Sequence, residues 1–321
     1  MNARDNASAG PVGSTTEPLL ITGANGHLGR RLIASLPPER PVRAIVRSPR
    51  ARQQIEKHVP DRPGLQIVVL DPADAAALAE VATGCGAAVH LIGTIRESRA
   101  EPYEHSHQRP VRALIEAAGR VALKQLVYVS ILGAGPQARS RCLRARASVE
   151  TLLDSSPIPA AVLRVPMVLG EGDRASRALR RQVARRRAFT FRSASLEQPI
   201  YAGDVIDALQ RIVALPAPQH AVWQLAGPTS LTRKALLHKA AECAGTDVEV
   251  VSLPLALGLA ATWFMARIRT GGGPTPDMLR VLDHDDSIDP GPAARELGIE
   301  LTSLEVMLQR CMRPADALPV D

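Results

Sequence analysis

The stretch from residue 19 to residue 29 reads Leu-Leu-Ile-Thr-Gly-Ala-Asn-Gly-His-Leu-Gly, a short apolar run followed by three glycines at a spacing of three residues. A buried strand that breaks directly into a helix has this pattern. In such a turn Gly23 bends the chain sharply, Gly26 lets backbone N–H groups approach a phosphate, and Gly29 lets the helix pack close to the strand. Because the positive end of the helix then faces the anion, the pattern predicts a site for a dinucleotide pyrophosphate.

Glycines also serve ordinary tight turns, so the surrounding chain has to decide between the two interpretations. A helical stretch at 27–36 stops at Pro37 and Pro38, and a second apolar strand spans 42–46. Strand, helix and strand complete a βαβ unit of about 30 residues. This context favours the nucleotide site.

Further apolar runs alternate with helical stretches along the chain. They span residues 65–70, 87–92, 126–129, 160–164 and 222–226. Such alternation predicts an α/β chain with a Rossmann-type, doubly wound parallel sheet, whose strands are apolar throughout because helices cover both faces. We expect a disordered tail at 1–17, a nucleotide-binding domain at 18–227 with a lobe insertion near 171–197, and a smaller C-terminal lobe at 228–321.

The composition is that of an ordinary globular chain of 321 residues. Its four cysteines are scattered, so neither a zinc site nor a disulfide framework is predicted, and a cytoplasmic location is expected. The residues at 1–17 are small and polar, with no apolar stretch typical of a secretory signal. The apolar stretch at 253–268 is shorter than the roughly 20 residues that span a bilayer, which predicts a core or interfacial helix.

The net charge of +7 comes from arginine, and seven arginines lie between Arg174 and Arg187 in one predicted helix. Two interpretations stay open: an ordinary solvated face, or a surface that meets anionic lipid headgroups and holds the protein at the inner face of a membrane. Nucleic acid is not a predicted partner, because aromatic residues make up only 2% of the chain and base stacking needs them.

Four strand ends carry residues that suit a bound nucleotide, since ligands of such sheets bind at the carboxyl ends of the strands. Arg47 follows the second strand, and a cation there favours a 2′-phosphate, so NADP(H) is predicted over NAD(H) unless Arg47 is ordinary surface charge. Asp71 ends the third strand and is expected to accept from the adenine amine. Gly93 ends the fourth, where backbone can lie against the cofactor, and Ser130 ends the fifth.

The motif from Thr22 to Gly29 resembles the Thr-Gly-x-x-Gly-x-x-Gly opening of the atypical and extended short-chain dehydrogenases/reductases. Three further stretches resemble one branch of that superfamily: His-Leu-Ile-Gly-Thr-Ile-Arg-Glu-Ser at 90–98, Val-Tyr-Val-Ser-Ile-Leu-Gly-Ala at 127–134 and Leu-Arg-Val-Pro-Met-Val-Leu-Gly-Glu-Gly-Asp at 163–173. The branch contains the nucleotide-binding accessory subunit of respiratory complex I and its bacterial relatives, close to NmrA-like proteins. Similar stretches at 198–205 and 224–228 extend the resemblance over nearly the whole chain.

The resemblance implies a set of residues along which NADP(H) lies: Thr22, Gly23, Asn25, Gly26, His27, Leu28, Gly29, Arg47, Asp71 and Gly93. It also implies that Pro166 borders the nicotinamide. Asp204 is expected to be structural and to hold the chain where it re-enters the nucleotide domain.

The catalytic pattern of the superfamily, a tyrosine with a lysine four residues later, is absent. At that distance Tyr103, Tyr128 and Tyr201 are followed by His107, Leu132 and Val205. The matching segment has Cys142 in place of the tyrosine and Arg146 in place of the lysine. A thiol is a weak donor and arginine keeps its proton, so Arg146 is expected only to bind the nicotinamide ribose.

Several roles stay open at this stage. Cys142 is either an inert helix residue or, beside arginines, a thiolate of lowered pKa. Ser130 either polarises a substrate carbonyl or caps the turn that follows it. His90 is expected to be a core residue, while His105 and His107 are expected to be exposed. No trio of residues has the spacing of a metal site, so no metal is predicted.

Two functions follow from these features. The first, which the missing tyrosine and lysine favour, is a non-catalytic or weakly catalytic NADP(H)-binding protein linked to respiratory or quinone metabolism. The alternative is an NAD(P)H-dependent oxidoreductase or epimerase acting on an apolar carbonyl or a quinone, because hydride transfer needs mainly cofactor orientation. Few polar groups in the C-terminal lobe predict an apolar ligand, and the glycines at 271–273 predict a loop beside its cleft.

Overall fold

A computed structural model of the chain describes residues 16–95, 97, 102–216, 220–268, 276–281 and 284–313, with the backbone alone at 261 and 263–268. Nearly all of the predicted tail at 1–17, and the predicted loop at 271–274, lie outside the described residues. The strands are β1 (Leu19–Thr22), β2 (Val42–Val46), β3 (Leu65–Val69), β4 (Ala87–His90), β5 (Gln125–Ile131), β6 (Ala160–Val165), β7 (Val168–Leu169), β8 (Arg187–Phe191), β9 (Leu196–Glu197), β10 (Ile200–Tyr201), β11 (Ala221–Gln224), β12 (Leu231–Thr232) and β13 (Glu249–Leu253).

The helices connect these strands. They are α1 (His27–Ser35), α2 (Pro49–His58), α3 (Ala75–Ala82), α4 (Arg109–Arg120), α5 (Arg141–Asp154), α6 (Arg174–Val183), α7 (Ala202–Ala214), α8 (Arg233–Cys243), α9 (Leu255–Ile268), α10 (Pro276–Val281), α11 (Gly291–Leu297) and α12 (Leu304–Met312). A π-helical turn, Glu104–Gln108, precedes α4 directly.

Seven of the strands form one sheet in the order β3-β2-β1-β4-β5-β6-β11, and every neighbouring pair is parallel. The strand order reverses between β1 and β4, which opens a crevice at the carboxyl ends of the strands. This confirms the predicted Rossmann-type α/β fold. The glycine turn after β1 lies at that reversal.

Helices bury both faces of the sheet. On one face α1, α7 and α11 contribute Leu32, Leu209 and Leu297 to a core that includes Leu19 and Ile21 of β1. On the other face α3, α4 and α5 pack a second core around the remaining side chains of the same strands. Because neither face meets water, β1 and β4 are apolar along nearly their whole length.

A third hydrophobic cluster joins α6, α8 and α12 beside a two-stranded parallel sheet of β8 and β13. The segment at 171–197 thus packs with elements from beyond residue 228. In contrast, Leu297 of α11 returns to the core of the main sheet. The carboxylate of Asp204, at the start of α7, accepts hydrogen bonds from the Thr302 N–H at 2.8 Å and hydroxyl at 2.6 Å, which ties the two parts together.

The arginine-rich segment differs from the single helix predicted for it. Helix α6 ends at Val183, and Arg187 is the first residue of β8. Within the residues that the structure describes, no helix is both long and apolar enough to cross a bilayer.

Candidate functional site

The glycine turn after β1 has the geometry that a pyrophosphate needs. Gly23 has a φ of +72°, and a Cβ there would lie 2.8 Å from the carbonyl carbon of Leu91, so a side chain is excluded. A Cβ on Gly29 would lie 2.6 Å from the carbonyl oxygen of Ala24, so α1 packs directly on the turn. Gly26 is the N-cap of α1 and provides no side-chain cap. The first N–H groups of α1 therefore suit an anion, and the residues present fit a dinucleotide.

The residues predicted to contact the adenosine end follow neighbouring strands. Arg47 is exposed immediately after β2, and Asp71 is exposed after β3, the strand next to β2 in the sheet. The Asp71 carboxylate accepts the N–H of Ala73 at 2.9 Å, and the Asn25 amide donates to Gln54 on α2 at 3.1 Å. The fold thus places Arg47 and Asp71 at one edge beside the glycine turn, as the sequence predicted.

His27 and Leu28 both lie in the first turn of α1. The His27 ring accepts a hydrogen bond from the Arg31 Nε–H at 3.0 Å, and Arg31 forms an ion pair with Glu171. Burial, with help from the nearby Arg31 charge, lowers the pKa of His27 to about 4, so the ring is neutral near pH 7. Leu28 packs against the main core, and Pro166 is buried directly after β6.

Cys142, which the resemblance sets in place of the superfamily's tyrosine, has apolar surroundings. It packs with Tyr103 and Ala145, and Ile131 and Val281 close the cluster. The thiol is fully buried and donates to the carbonyl oxygen of Thr94 at 3.6 Å. Burial raises its pKa, which favours the inert helix residue over the thiolate, the two alternatives that the sequence left open. Cys142 is an un-ionised thiol that faces backbone.

Arg146 is the buried cation of this region. Its Nη1 donates to the Tyr128 hydroxyl and to the Val129 carbonyl oxygen, both at 2.9 Å, and its guanidinium carbon lies 5.6 Å from the centre of the Tyr128 ring. The guanidinium also fills the space where a side chain at Gly93 would stand. Among the described residues no carboxylate forms an ion pair with Arg146, and the oxygens that accept its hydrogen bonds are neutral. The predicted contact with the ribose stays a prediction.

Two histidines lie near Arg146. The His90 ring nitrogen Nδ1 lies 2.8 Å from the Thr22 hydroxyl, and His107 donates from Nε2 to the Thr94 carbonyl oxygen at 2.9 Å. Burial first, then the Arg146 charge, lowers the pKa of each to about 3. The expectation that His107 is exposed is wrong, because the π-helical turn directs it inward, whereas His105 on the same turn is exposed.

Ser130 does not cap the turn that follows β5. Its hydroxyl is fully buried and has no hydrogen-bond partner within the described part of the chain. Side chains two residues apart on a strand lie on the same face, so Ser130 shares the face of Tyr128 and its bonded Arg146. The buried hydroxyl therefore has unused hydrogen-bonding capacity on the face that it shares with Tyr128. No group of His, Cys, Asp and Glu suited to a metal occurs in the described residues either.

One titratable residue of this region was missed by the sequence analysis. His284 follows α10, and its ring packs on Gly133, three residues beyond Ser130. Its Nε2 lies 3.3 Å from a carboxylate oxygen of Asp286. In the sequence, the acidic residues that follow His284 were the one sign of a titratable site. Only the fold brings His284 to the loop after β5.

Comparison with known proteins agrees with this site. A model of an NAD(P)H-binding family matches residues 23–190. The ceramide reductase of Caulobacter vibrioides (strain NA1000 / CB15N) is 30% identical over 155 residues, which is 48% of this chain and 47% of that protein. The chain thus matches about half the length of this curated relative.

Solved structures share the fold across most of the chain. An NADPH-dependent quinone oxidoreductase of Escherichia coli, in complex with NADPH, has a TM-score of 0.70 at 21% identity and covers 92% of this chain and 100% of its own. A nucleoside-diphosphate-sugar epimerase of Staphylococcus aureus has a TM-score of 0.69 at 18% identity over 91% of this chain and 99% of its own. At such identities the likeness establishes the fold, and the complex I branch stays a prediction.

The family match confirms the prediction that the chain binds a dinucleotide of the NAD(P) type. The match begins at Gly23, in the turn that carries the site. The chain belongs to the NAD(P)H-binding family of Rossmann-fold proteins.

Proposed function

We propose that the chain is an NADP(H)-dependent reductase of an apolar, lipid-like carbonyl. The observation that carries the proposal is a pair of buried polar groups without a hydrogen-bond partner in the described part of the chain, the hydroxyl of Ser130 on β5 and the Nε–H of Arg146 on α5. Each unsatisfied buried group costs about 1–3 kcal/mol. A protein that only binds a nucleotide would be more stable with apolar side chains in place of these two groups. In a reductase, the carbonyl oxygen of a substrate can accept hydrogen bonds from both of them.

The choice of cofactor rests on Arg47. It is exposed directly after β2, and Arg50 is exposed near the start of α2. Two guanidinium groups at this edge favour the dianionic 2′-phosphate of NADP(H) over the two neutral hydroxyls of NAD(H).

The nature of the substrate rests on the relative and on the C-terminal lobe. The relative with 30% identity is a ceramide reductase, which supports a lipid substrate. The sequence of helix α9 is mostly apolar, and exposed Leu257 near its start adds to the apolar surface of the lobe. A quinone is the second apolar acceptor to test, because a quinone oxidoreductase shares the fold.

Each group of the site then has a role in carbonyl reduction. NADPH supplies a hydride when it is bound. The first turn of α1 binds its pyrophosphate and orients the nicotinamide end toward β5. The Ser130 hydroxyl donates to the carbonyl oxygen, and Arg146 stabilises the negative charge that develops there.

A second candidate is the non-catalytic or weakly catalytic NADP(H)-binding protein linked to respiratory or quinone metabolism. The observation that favours it is the un-ionised, buried thiol at Cys142, where active relatives place a tyrosine. Such a protein uses the nucleotide as a structural or sensing ligand.

One assay separates the two candidates. The chain is saturated with NADPH, and the nicotinamide absorbance is followed with a ceramide-type ketone, a long-chain aldehyde and a quinone. Turnover that falls at least a hundredfold in Ser130→Ala, with NADPH binding retained, supports the reductase. Tight binding without turnover of any acceptor supports the second candidate, and failure to bind NADPH or NADH contradicts both.

The preference for NADP(H) has its own test in the same preparation. We expect Arg47→Ala to raise the Kd for NADPH about tenfold to a hundredfold and to leave NADH binding nearly unchanged, because a charge-assisted contact is worth about 1.5–3 kcal/mol. Arg52→Ala is the matched control, since Arg52 pairs with Glu56 on the exposed face of α2. Equal effects of Arg47→Ala on both nucleotides would contradict the preference.

A further inference from the structure

Reduction of a carbonyl needs a proton as well as a hydride, and Cys142 does not supply one. We propose that His284 donates this proton, with Asp286 holding its ring; the proposal rests on the reductase function above. His284 would then be a catalytic residue delivered by the C-terminal part of the chain, not by α5.

The position of His284 supports this role. Three residues before it, Val281 of α10 packs on the cluster around Cys142, the position of the missing tyrosine. The ring of His284 itself lies on Gly133, where a Cβ would come within 2.8 Å of Nε2. Gly133 lies three residues after Ser130 in the β5–α5 connection. The ring of His284 therefore lies at the β5–α5 connection, and the helix before it reaches the cluster around Cys142.

The segment that carries His284 is anchored to the rest of the lobe. The Asp286 N–H donates to the Leu196 carbonyl oxygen at 3.0 Å, and the Asp286 carbonyl oxygen accepts the Ser230 hydroxyl at 2.9 Å. The Asp285 carboxylate accepts the Leu196 N–H at 3.1 Å. These bonds fix the backbone on both sides of Asp286 and so fix the ring that its carboxylate contacts.

The charges around His284 favour its protonated form. The hydrogen bond to Asp286 raises its pKa above the ordinary value, and the charges of Asp286, Asp285 and Glu197 of β9 raise it further against the effect of burial. Arg192 lies 3.9 Å from Asp285, and Arg233 forms an ion pair with Glu197, so both carboxylates have cationic partners as well. The connection after β5 contributes Gly133, Ala134 and Gly135, which carry no charge.

The other titratable groups of the site are poor donors. His90 and His107 are buried and neutral, with pKa values near 3. The Tyr103 hydroxyl donates to the Ile95 carbonyl oxygen at 3.0 Å, and burial raises its pKa. By contrast, the side chain of His284 is 37% exposed, so water can return a proton to it after each cycle.

The step balances as follows. A hydride from NADPH forms the new C–H bond at the carbonyl carbon, and the C=O π bond breaks. Its electron pair takes the Nε2 proton of the protonated His284 ring, since Nε2 is the nitrogen that lies against Gly133, and the 3.3 Å contact of Nε2 with Asp286 is given up as the proton leaves. The products are an alcohol, NADP⁺ and neutral His284, which takes a proton from water. Arg146 and Ser130 hold the oxygen while the proton moves.

The test compares His284→Gln with His238→Gln, which changes an exposed histidine on α8. We expect His284→Gln to lower kcat about 100-fold near pH 7, to keep NADPH binding, and to remove the decline of kcat at high pH that the titration of His284 causes. His238→Gln is expected to match the unaltered chain. Retained NADPH binding shows that the variant is folded.

A second readout is independent of turnover. The imidazole signals of the full chain are followed by NMR against pH, and His284 is assigned by its loss in His284→Gln. We expect it to titrate above about 6.5 and to titrate lower in Asp286→Asn, whose pH profile of kcat shifts by the same amount. Full activity of His284→Gln with an unchanged pH profile would overturn the role of His284 as proton donor and leave the reductase function standing. Absence of turnover by the unaltered chain would overturn the reductase and the donor together.

Discussion

At the scale of single residues, the buried thiol of Cys142 lies in an apolar cluster. It is enclosed by Tyr103, Ala145, Ile131 and Val281, so the volume of a tyrosine side chain is already occupied by other residues. We expect Cys142→Tyr to lower the free energy of unfolding by about 1–3 kcal/mol through overpacking, and not to increase turnover. Denaturant unfolding and the NADPH assay measure the two effects.

The matched control for this substitution is Cys243→Tyr, at a half-buried position near the end of α8. It is expected to cost less than Cys142→Tyr because part of its side chain can extend into water. A stable and more active Cys142→Tyr would show that space for a tyrosine exists, and would contradict the packing described here.

The buried histidines make a second prediction at this scale. His90, His107 and His27 have folded-state pKa values of about 3, 3 and 4, below the roughly 6.5 of an unfolded chain. Below pH 6.5 the unfolded state therefore binds protons that the folded state does not, and stability falls as the pH falls toward 4. We expect His107→Gln to reduce this slope by about 1 kcal/mol per pH unit.

Urea unfolding at pH values from roughly 4.5 to 7.5, a range that spans the ordinary histidine pKa, measures how the free energy of unfolding depends on pH. Gln keeps an N–H that can donate to the Thr94 carbonyl oxygen, so the substitution changes titration more than packing. His105→Gln, on the exposed face of the same turn, is the control and is expected to leave the slope unchanged. An equal slope in both variants would contradict a neutral, buried His107.

The sequence located the residues whose positions depend on local chain geometry. Gly23, Gly29 and Arg47 lie in or beside one βαβ unit, where spacing alone fixes their places. It misplaced His107, because the inward direction of that ring comes from a π-helical turn that no hydrophobic period signals. It missed His284, because that residue lies 151 positions after Gly133 in the sequence, and only the folded molecule brings the two together.

At the scale of elements, the packing of α1 on the glycine turn is the contact that shapes the nucleotide site. A Cβ on Gly29 would press against the backbone of Ala24, which cannot move without displacing the turn. We expect Gly29→Ala to cost about 1–3 kcal/mol of stability and to raise the Kd for NADPH at least tenfold, because α1 would move away from the phosphate. Unfolding and fluorescence titration with NADPH test both.

Gly119 provides a control of the same chemistry in another helix. It lies in α4 with nothing within 4 Å of a Cβ placed on it. Gly119→Ala is therefore expected to stabilise the chain by about 0.5–1 kcal/mol, through helix propensity, and to leave NADPH binding unchanged. If Gly29→Ala behaved like Gly119→Ala, the close approach of α1 to the turn would not be needed for the site.

The elements themselves were predictable where hydrophobic runs are continuous. Strands β1 and β2 match the predicted runs at 19–22 and 42–46, since strands buried on both faces have no competing pattern. The arginine segment was less predictable, because β8 alternates buried and exposed residues directly after α6, and its pairing with β13 depends on a partner about 60 positions away.

For the whole molecule, the distribution of arginine predicts where it meets other surfaces. Arg174, Arg177 and Arg181 are exposed on α6 at spacings of three and four residues, so they form one stripe. We propose that this stripe meets anionic lipid headgroups, which would bring the site close to a source of lipid substrate. A solvated face remains the alternative that the experiment decides.

Sedimentation with vesicles distinguishes these two outcomes. We expect the chain to bind vesicles rich in phosphatidylserine more tightly than neutral ones, and the binding to weaken with salt. Changing the three stripe arginines to glutamine should lower the affinity about 100-fold, since each contributes about 1 kcal/mol near an anionic surface. The matched control changes Arg52, Arg112 and Arg120 to glutamine; these residues are exposed on α2 and α4, and the three substitutions alter the net charge by the same amount. An equal loss of affinity in both triple variants would mean that net charge, not the stripe, governs binding. Binding that does not depend on vesicle charge would show that α6 is a solvated face.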